Sequence, residues 1–511
     1  MRPRLPITRR TEIWRRLASS NRDFKHDYSH RPTTYNHRLP AEGEDPHSVD
    51  TQRTPITKVS DFTSFSRLWT NISNDPLKGQ SSAEFFAKFP LVTHKKLAKR
   101  TERPKKVKML ASDFIDDSLY NPNYGYFPKQ AEIFQATEPF NYNELQDTDE
   151  FVINWQKQYA KYDDSSKKEL QLWHTPVELF QPHYGEAIAR FLLVNYKLNL
   201  YPYHDLIIYE IGGGNGTLMT NILDYIRQMQ PEVYKKTRYK IIDISKNLSE
   251  KQKKQSVKHG FRKHDSKVEI INKSIFDWKE FVPEPCFIVG LEVLDNLAHD
   301  MIKYDINTGK PYQGYVVIDE EGDYHQMFSP ELSADSAGFL GTRGLDFLNT
   351  PYSKMNGLNH PLNENKFSQK WKNMFIPFNN SLSTTEFIPT RLYKLFEILN
   401  EKFPEHQVIL SDFDSLPNGS EGYNSPVVQT ILKEKAVTTS TFMVDPGFFD
   451  IMFPTNFHII RDLYIKMSGK LIRTSKHSEF LEQWGDIEAT TTKSGENPML
   501  TFYQNASFLY N

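Results

Sequence analysis

Two rhythms of apolar and polar residues meet near the middle of this chain. Leu206-Ile207-Ile208-Tyr209-Glu210-Ile211 is a short, nearly continuous apolar run, the pattern of a strand buried on both faces of a parallel sheet. It ends on Gly212-Gly213-Gly214-Asn215-Gly216. From Thr217 to Ile226 the apolar residues then recur at helical spacing. Strand, glycine loop and helix in this order predict a βα unit whose loop turns sharply and lets a ligand lie against bare backbone. Tyr239–Ile244, Val268–Asn272 and Cys286–Glu292 predict three more strands. Acids recur at the strand ends: Glu210, Asp243, Asp277 in Ser274-Ile275-Phe276-Asp277-Trp278, and Glu292 followed by Asp295. Taken singly, each acid reads equally well as a cap or a solvated turn. Four in order after a glycine loop describe the mouth of a ligand-binding sheet.

Composition narrows the classes. The chain has 511 residues, enough for two or three domains, with 38% hydrophobic and 25% charged residues. A net charge of −1 gives no global field for nucleic acid, and no run of 18 or more apolar residues is present to span a bilayer. The single cysteine, Cys286, excludes an internal disulfide and any multi-cysteine metal site, and its apolar neighbours place it in a buried strand. No His spacing of a recognised metal-binding kind is present. The first two dozen residues carry Arg2, Arg4, Arg9, Arg10, Arg15, Arg16 and Arg22, with Glu12 as the one acid before Asp23. This is the composition of a mitochondrial presequence and predicts delivery to the matrix. The chain divides on this reading into 1–54 (targeting), 55–108 (basic extension), 109–200 (helical segment with insertion), 201–330 (sheet core) and 331–511 (insertion and substrate-side part completing the sheet). The basic residues from Lys95 to Lys106 are expected to tether the core rather than join it. The polar stretches around Glu132–Lys168 and Ser333–Asn380 are expected to be loops or lids.

The glycine spacing discriminates between ligands. Nicotinamide and flavin enzymes use Gly-x-Gly-x-x-Gly, and Thr217 stands where the third glycine would be, which disfavours an oxidoreductase. The sequence instead reads Glu-x-Gly-x-Gly-x-Gly from Glu210 to Gly216, and it resembles motif I of class I S-adenosylmethionine (SAM)-dependent methyltransferases. A carboxylate beside the loop suits a ligand with an ammonium and a sulfonium, and would repel a pyrophosphate. The resemblance implies an α/β fold, Rossmann-like, with a doubly wound and mostly parallel sheet, an N-terminal helical segment and inserted or C-terminal elements. It implies SAM held by Glu210, Gly212, Gly214, Gly216, Asp243 (ribose) and Asp277 (adenine side).

Motifs outside the core narrow the resemblance. Phe114–Phe127 with Asn121-Pro122-Asn123-Tyr124-Gly125-Tyr126, Thr175-Pro176-Val177-Glu178 with Gly185-Glu186, Leu291–Leu297, Pro446-Gly447-Phe448-Phe449-Asp450, and His477-Ser478-Glu479-Phe480-Leu481 are similar to segments of the MidA family. The chain departs from that family at Gly213 and Asn215 of the loop, at Ala298, and over Met452–Phe457. Mitochondrial MidA members are protein-arginine methyltransferases that make symmetric dimethylarginine and assist assembly of respiratory complex I. The resemblance therefore implies a protein substrate, such as a complex I subunit. For a guanidinium, whose pKa lies above about 12, the useful catalytic group is a carboxylate that fixes the planar fork and aims one nitrogen at the methyl. Glu292 and Asp295 are the candidates. His174 is read as a structural group. The competing readings are a SAM-shaped assembly factor without turnover and a methyltransferase with another substrate.

Overall fold

The computed structural model describes residues 25–26, 82–129, 131–134, 138–165, 171–244, 263–344, 360–363, 382–417, 419–420, 422–432 and 435–511. The expected presequence lies outside the described residues, apart from Lys25 and His26. The chain forms two compact units, each discontinuous in sequence.

One unit comprises Gln130–Leu297, Leu392–Leu416 and Pro454–Asn511. Its sheet has seven strands: β1 Ile207–Ile211, β2 Arg238–Ile242, β3 Val268–Ile271, β4 Cys286–Leu291, β5 His406–Phe413, β6 Arg473–Lys476 and β7 Ala506–Tyr510. They lie in the order β3-β2-β1-β4-β5-β7-β6. The first five pair in parallel, and β7 runs antiparallel to both β5 and β6. Parallel neighbours need a crossover, which for β1 and β2 includes the predicted helix, observed as Thr217–Met229. The helices are α1 His183–Asn199, α2 Thr217–Met229, α3 Thr390–Lys402, α4 Phe457–Ser468 and α5 His477–Trp484.

Alternate strand residues serve opposite faces. Ile208, Ile241, Phe287, Val289, Ile409 and Phe508 join a buried cluster with Ile188 and Phe191 of α1, Leu218, Ile222 and Leu223 of α2, and Phe480 of α5. Each such side chain contributes about 1.5–3 kcal/mol by burial, which is what fastens the crossover helix to the sheet. On the other face Tyr209 packs edge-on against Phe403, with ring centroids 5.2 Å apart, and Phe396 of α3 meets Tyr464 of α4 at 5.3 Å. The sheet is thus covered on both sides. Gly185 has a packing reason: a Cβ there would lie 2.6 Å from Asn221 Cβ, so glycine lets α1 approach α2.

The other unit comprises residues up to Lys129, Ala298–Arg391 and Pro417–Phe453. It is built on antiparallel pairing. Pro311–Ile318 pairs with Tyr324–Ser329, with Val107–Leu110 and with Asp300–Tyr304, which in turn pairs with Glu386–Ile388. A smaller sheet joins Val427–Leu432 to Lys435–Thr439 and Asp450–Met452. Helix Ala111–Tyr120 covers the opening of the MidA-like segment.

Three expectations are corrected here. The stretch 201–330 is divided after Leu297, because strands 300–329 satisfy their backbone groups in the antiparallel sheet rather than beside β4. The basic segment before Leu110 is part of the folded unit: Phe85, Phe86, Phe89, Leu97 and Val107 are buried between its cations. The polar stretches are in part helical, with Thr148–Ser165 and Ala334–Arg343 ordered as helices, while 345–359 and 364–381 lie outside the described residues. Cys286 is free and buried in β4 as expected, and burial pushes its thiol up to about 12.

Candidate active site

The carboxyl ends of β1 and β4 are where strand order reverses, since β2 follows β1 to one side and β5 follows β4 to the other. Open α/β sheets bind ligands at such a switch point. The glycine loop after β1 has Gly212 at φ +73°, Gly214 at +49° and Gly216 at +80°. These are left-handed conformations that L side chains rarely adopt. At Gly212 space is also lacking, since a Cβ would lie 2.7 Å from Val293 Cγ1. The loop therefore runs bare against the segment that follows β4. It closes by a bond from Gly216 N–H to Gly213 O at 2.8 Å, and α2 begins immediately afterwards.

Glu210 points inward from β1 and is buried, its Oε2 accepting the Tyr239 hydroxyl at 2.9 Å. Burial raises its carboxyl to about 7, with the Tyr239 bond opposing the rise and Asp243 adding to it. Asp243 follows β2 and is also buried, and its backbone oxygen accepts Asn272 Nδ2 at 3.0 Å. Asp277 closes a single 3₁₀ turn, Ile275–Asp277, and is exposed. Its neighbour Trp278 turns into the core, donating from Nε1 to Glu280 O at 2.8 Å and packing on Phe403. Trp278 is thus a core residue.

Glu292 follows β4 directly and holds φ +53°, a strained setting for a residue with a side chain. Its N–H donates to Ser411 O at 2.8 Å, which locks the turn to β5. Among the described residues the carboxylate engages no hydrogen-bond donor. Burial first, then the charges of Asp412 and Glu178, push Glu292 well above the ordinary carboxylate range. The side chain keeps part of its surface open, which tempers the rise without reversing it. Two tyrosines feel its charge: buried Tyr184, on α1, and half-buried Tyr503, itself at φ +55°. Asp295 is buried three residues on, and its N–H donates to Asp412 Oδ2 at 3.1 Å. Leu294 N–H donates to the same oxygen at 2.6 Å. Asp412, at the end of β5, thereby fixes the loop that presents Glu292 and Asp295.

Sequence reasoning missed Glu178, Asp412, Tyr184 and Tyr503. Asp412 carried the same signal as the acids it did find, an acid closing an apolar run, Val408-Ile409-Leu410-Ser411-Asp412. Glu178 stood in a MidA-like segment with no role assigned to it. Thr175 caps the short helix Pro176–Leu179 by accepting Glu178 N–H, and Pro176 occupies its first turn. The Glu178 side chain then reaches the glycine loop, where Oε1 accepts Thr217 Oγ1 at 2.8 Å and Asn215 Nδ2 at 3.0 Å. His174 packs among Phe134, Trp155 and Tyr159, and burial holds it down to about 4.

A backbone cradle of left-handed glycines and buried carboxylates at the switch point fit a cofactor that is cationic and lacks pyrophosphate. With the strand order given above, the fold is that of a class I SAM-dependent methyltransferase. The family model described as "Putative S-adenosyl-L-methionine-dependent methyltransferase" matches residues 187–474, and the chain belongs to that family. It is a methyltransferase that uses SAM.

A Schizosaccharomyces pombe protein named Protein arginine methyltransferase NDUFAF7 homolog, mitochondrial, is 21% identical over 386 residues, covering 74% of this chain and 80% of its own. The Saccharomyces cerevisiae protein of the same name is 24% identical over 351 residues, covering 64% and 77%. A Burkholderia thailandensis protein solved with S-adenosyl-homocysteine aligns over 79% of this chain and 88% of its own, at 13% identity and a TM-score of 0.49. The MidA resemblance stands, and with these relatives the protein is mitochondrial. Among the described residues no helix is long and apolar enough to cross a membrane.

Proposed function

We propose that the protein methylates arginine side chains of a protein substrate, taking the chain to symmetric dimethylarginine on a respiratory-complex subunit and so supporting complex I assembly. Support for arginine comes from the relatives' printed names. The observation that carries the reading is Glu292: a strained, partly buried carboxylate with no hydrogen-bond partner or cationic neighbour among the described residues. Such a group is costly unless a cation arrives to meet it. A carboxylate has two acceptor oxygens, which suits the two parallel donors of a guanidinium fork.

In this reading Gly212, Gly214 and Gly216 cradle the cofactor with Glu210, Asp243 and Asp277 along it. Bound SAM supplies a methyl group activated by its sulfonium. Glu292 holds the guanidinium, and Asp295 stands beside it on the loop that Asp412 fixes. The role of Glu292 would be to aim one guanidinium nitrogen at the methyl group that bound SAM would supply. Methylation releases one proton from the guanidinium, and the Glu292 carboxylate, ionised when it pairs with that cation, is the group that accepts it. The remaining work is alignment and exclusion of water.

The test is Glu292→Gln, assayed for transfer of labelled methyl groups to mitochondrial proteins and for methylarginine in the product. We expect transfer to fall about 100-fold or more while SAM affinity changes less than about threefold. Full activity in the variant would remove Glu292 from the mechanism. Label on lysine or on a small molecule would reject the arginine reading, and SAM binding by the wild type without any transfer would favour an assembly factor lacking turnover.

A further inference from the structure

Glu178 is a buried acid whose two oxygens have different fates. Oε1 is satisfied twice, by Thr217 and Asn215, while Oε2 is buried with no partner among the described residues. The residue is only 3% exposed, so water does not compensate that oxygen. A buried, unpaired carboxylate oxygen costs free energy comparable to a lost charged hydrogen bond. Among the described residues no Lys, Arg or His contributes to the electrostatics of Glu178, Glu210 or Glu292. Two buried acids, Glu178 and Glu210, and the half-buried Glu292 thus have no counter-charge among the described residues.

We infer that Glu178 is the receptor for the α-ammonium of SAM, its Oε2 accepting one ammonium hydrogen at the head of the glycine loop. The inference rests on the cofactor reading above and adds to it a residue that precedes β1 in the chain. Placement supports it, because Oε1 is tied to Asn215 of the glycine loop and to Thr217, the first residue of α2. Valence chooses the cation. A carboxylate with one open oxygen offers a single-point acceptor, which matches a compact ammonium. A planar guanidinium fork requires two open oxygens, and Glu178 has one of its two already engaged. Thr-Pro-Val-Glu then has a chemical purpose: Thr175 and Pro176 start a one-turn helix, and Glu178 in that turn is carried to the loop with one oxygen to spare.

Glu178→Gln keeps an oxygen for Thr217 and Asn215 and puts an NH₂ donor where Oε2 stood. Calorimetric titration of the full chain with three ligands separates the possibilities. SAM and S-adenosylhomocysteine both carry the ammonium, whereas 5′-methylthioadenosine keeps the adenosine and thioether and lacks the amino-acid part. We expect the variant to bind the first two about tenfold or more weakly, and 5′-methylthioadenosine as the wild type does, within about twofold. Equal losses for all three would mean that the loop itself was damaged and would overturn the assignment. So would unchanged SAM binding, with or without a raised KM for the protein substrate. Should Glu178→Gln not fold, Asn215→Ala loosens the same carboxylate and must show the same ligand pattern with smaller losses; its absence overturns the inference. Failure of the wild type to bind SAM would instead refute the cofactor reading, so the two failures are distinct.

Discussion

Glu178 and Glu210 start from an ordinary value of 4.5, and burial raises each to about 7 in the folded chain. A carboxyl group with a raised folded pKa favours folding while it is protonated in both states. That contribution is complete below about pH 4.5 and is lost as pH climbs to about 7. The loss is about 3 kcal/mol for each group, taking 1.4 kcal/mol per pKa unit as the rough conversion. His174, His406 and His477 act in the opposite sense, since burial holds each down to about 4 and their contribution grows as pH rises toward about 6.5. The raw stability profile mixes both signs, so the useful quantity is a difference. Glu210→Gln, unfolded by urea without cofactor, is expected to exceed the wild type by up to about 3 kcal/mol at pH 8 and to match it near pH 4.5. A constant difference at both pH values would show that Glu210 is not held protonated. At this scale the sequence was partly legible. The charge and strand-end place of Glu210, Asp243 and Glu292 could be read from the chain. The open oxygen of Glu178 and the strain at Glu292 arise from neighbours brought together by folding, which no local pattern records.

The turns show why some motifs have the residues they do. Gly447, in Pro446-Gly447-Phe448, sits at φ +90°, and a Cβ there would fall 1.7 Å from the carbonyl oxygen of Tyr124. Tyr124 belongs to the Asn121–Tyr126 turn after helix Ala111–Tyr120, so two MidA-like motifs far apart in sequence are one contact in space. Arg103 fastens the same place, donating from Nε to Pro446 O at 2.8 Å with its guanidinium over the Phe448 ring at 4.4 Å. Both the conformation and the backbone clash oppose any side chain. Gly447→Ala is therefore expected to destabilise this unit by on the order of 3 kcal/mol or more, read as a lowered urea midpoint and faster proteolysis of residues 417–453. Unchanged stability would mean that the turn relaxes freely and that the close approach is unimportant. The motifs were recognisable as motifs; their reason was not, because glycine at a turn and glycine under a distant carbonyl read alike in one dimension. Periodic elements fared better: the helix after the glycine loop begins at Thr217 as the pattern predicts, and β4 covers Cys286–Leu291.

Connectivity decides what can fold alone. Four strands, β1 to β4, lie between residues 207 and 291, while β5, β6 and β7 come from 406–510. Linear reading placed a sheet core at 201–330, since the apolar runs continue through that stretch. Those later runs, from Asp300 to Ser329, pair with each other and with Val107–Leu110 instead. A hydrophobic run announces burial but not its partner, and the long excursion of 298–391 between β4 and α3 has no local signature. A fragment of residues 201–330 would expose the β4 edge that β5 normally covers, from Cys286 opposite His406 to Leu291 opposite Ser411. It would also lack α1 and α5, which supply Phe191 and Phe480 to the core, and it would carry three antiparallel strands without Val107–Leu110. The fragment is expected to show no cooperative urea transition and no SAM-dependent rise in Tm, whereas the full chain shows both. Cooperative folding of the fragment with SAM binding would mean that four strands and the glycine loop suffice as a cofactor domain. The remaining strands would then serve something other than completion of the sheet, and the division of labour drawn from strand order would have to be redrawn around β1 to β4.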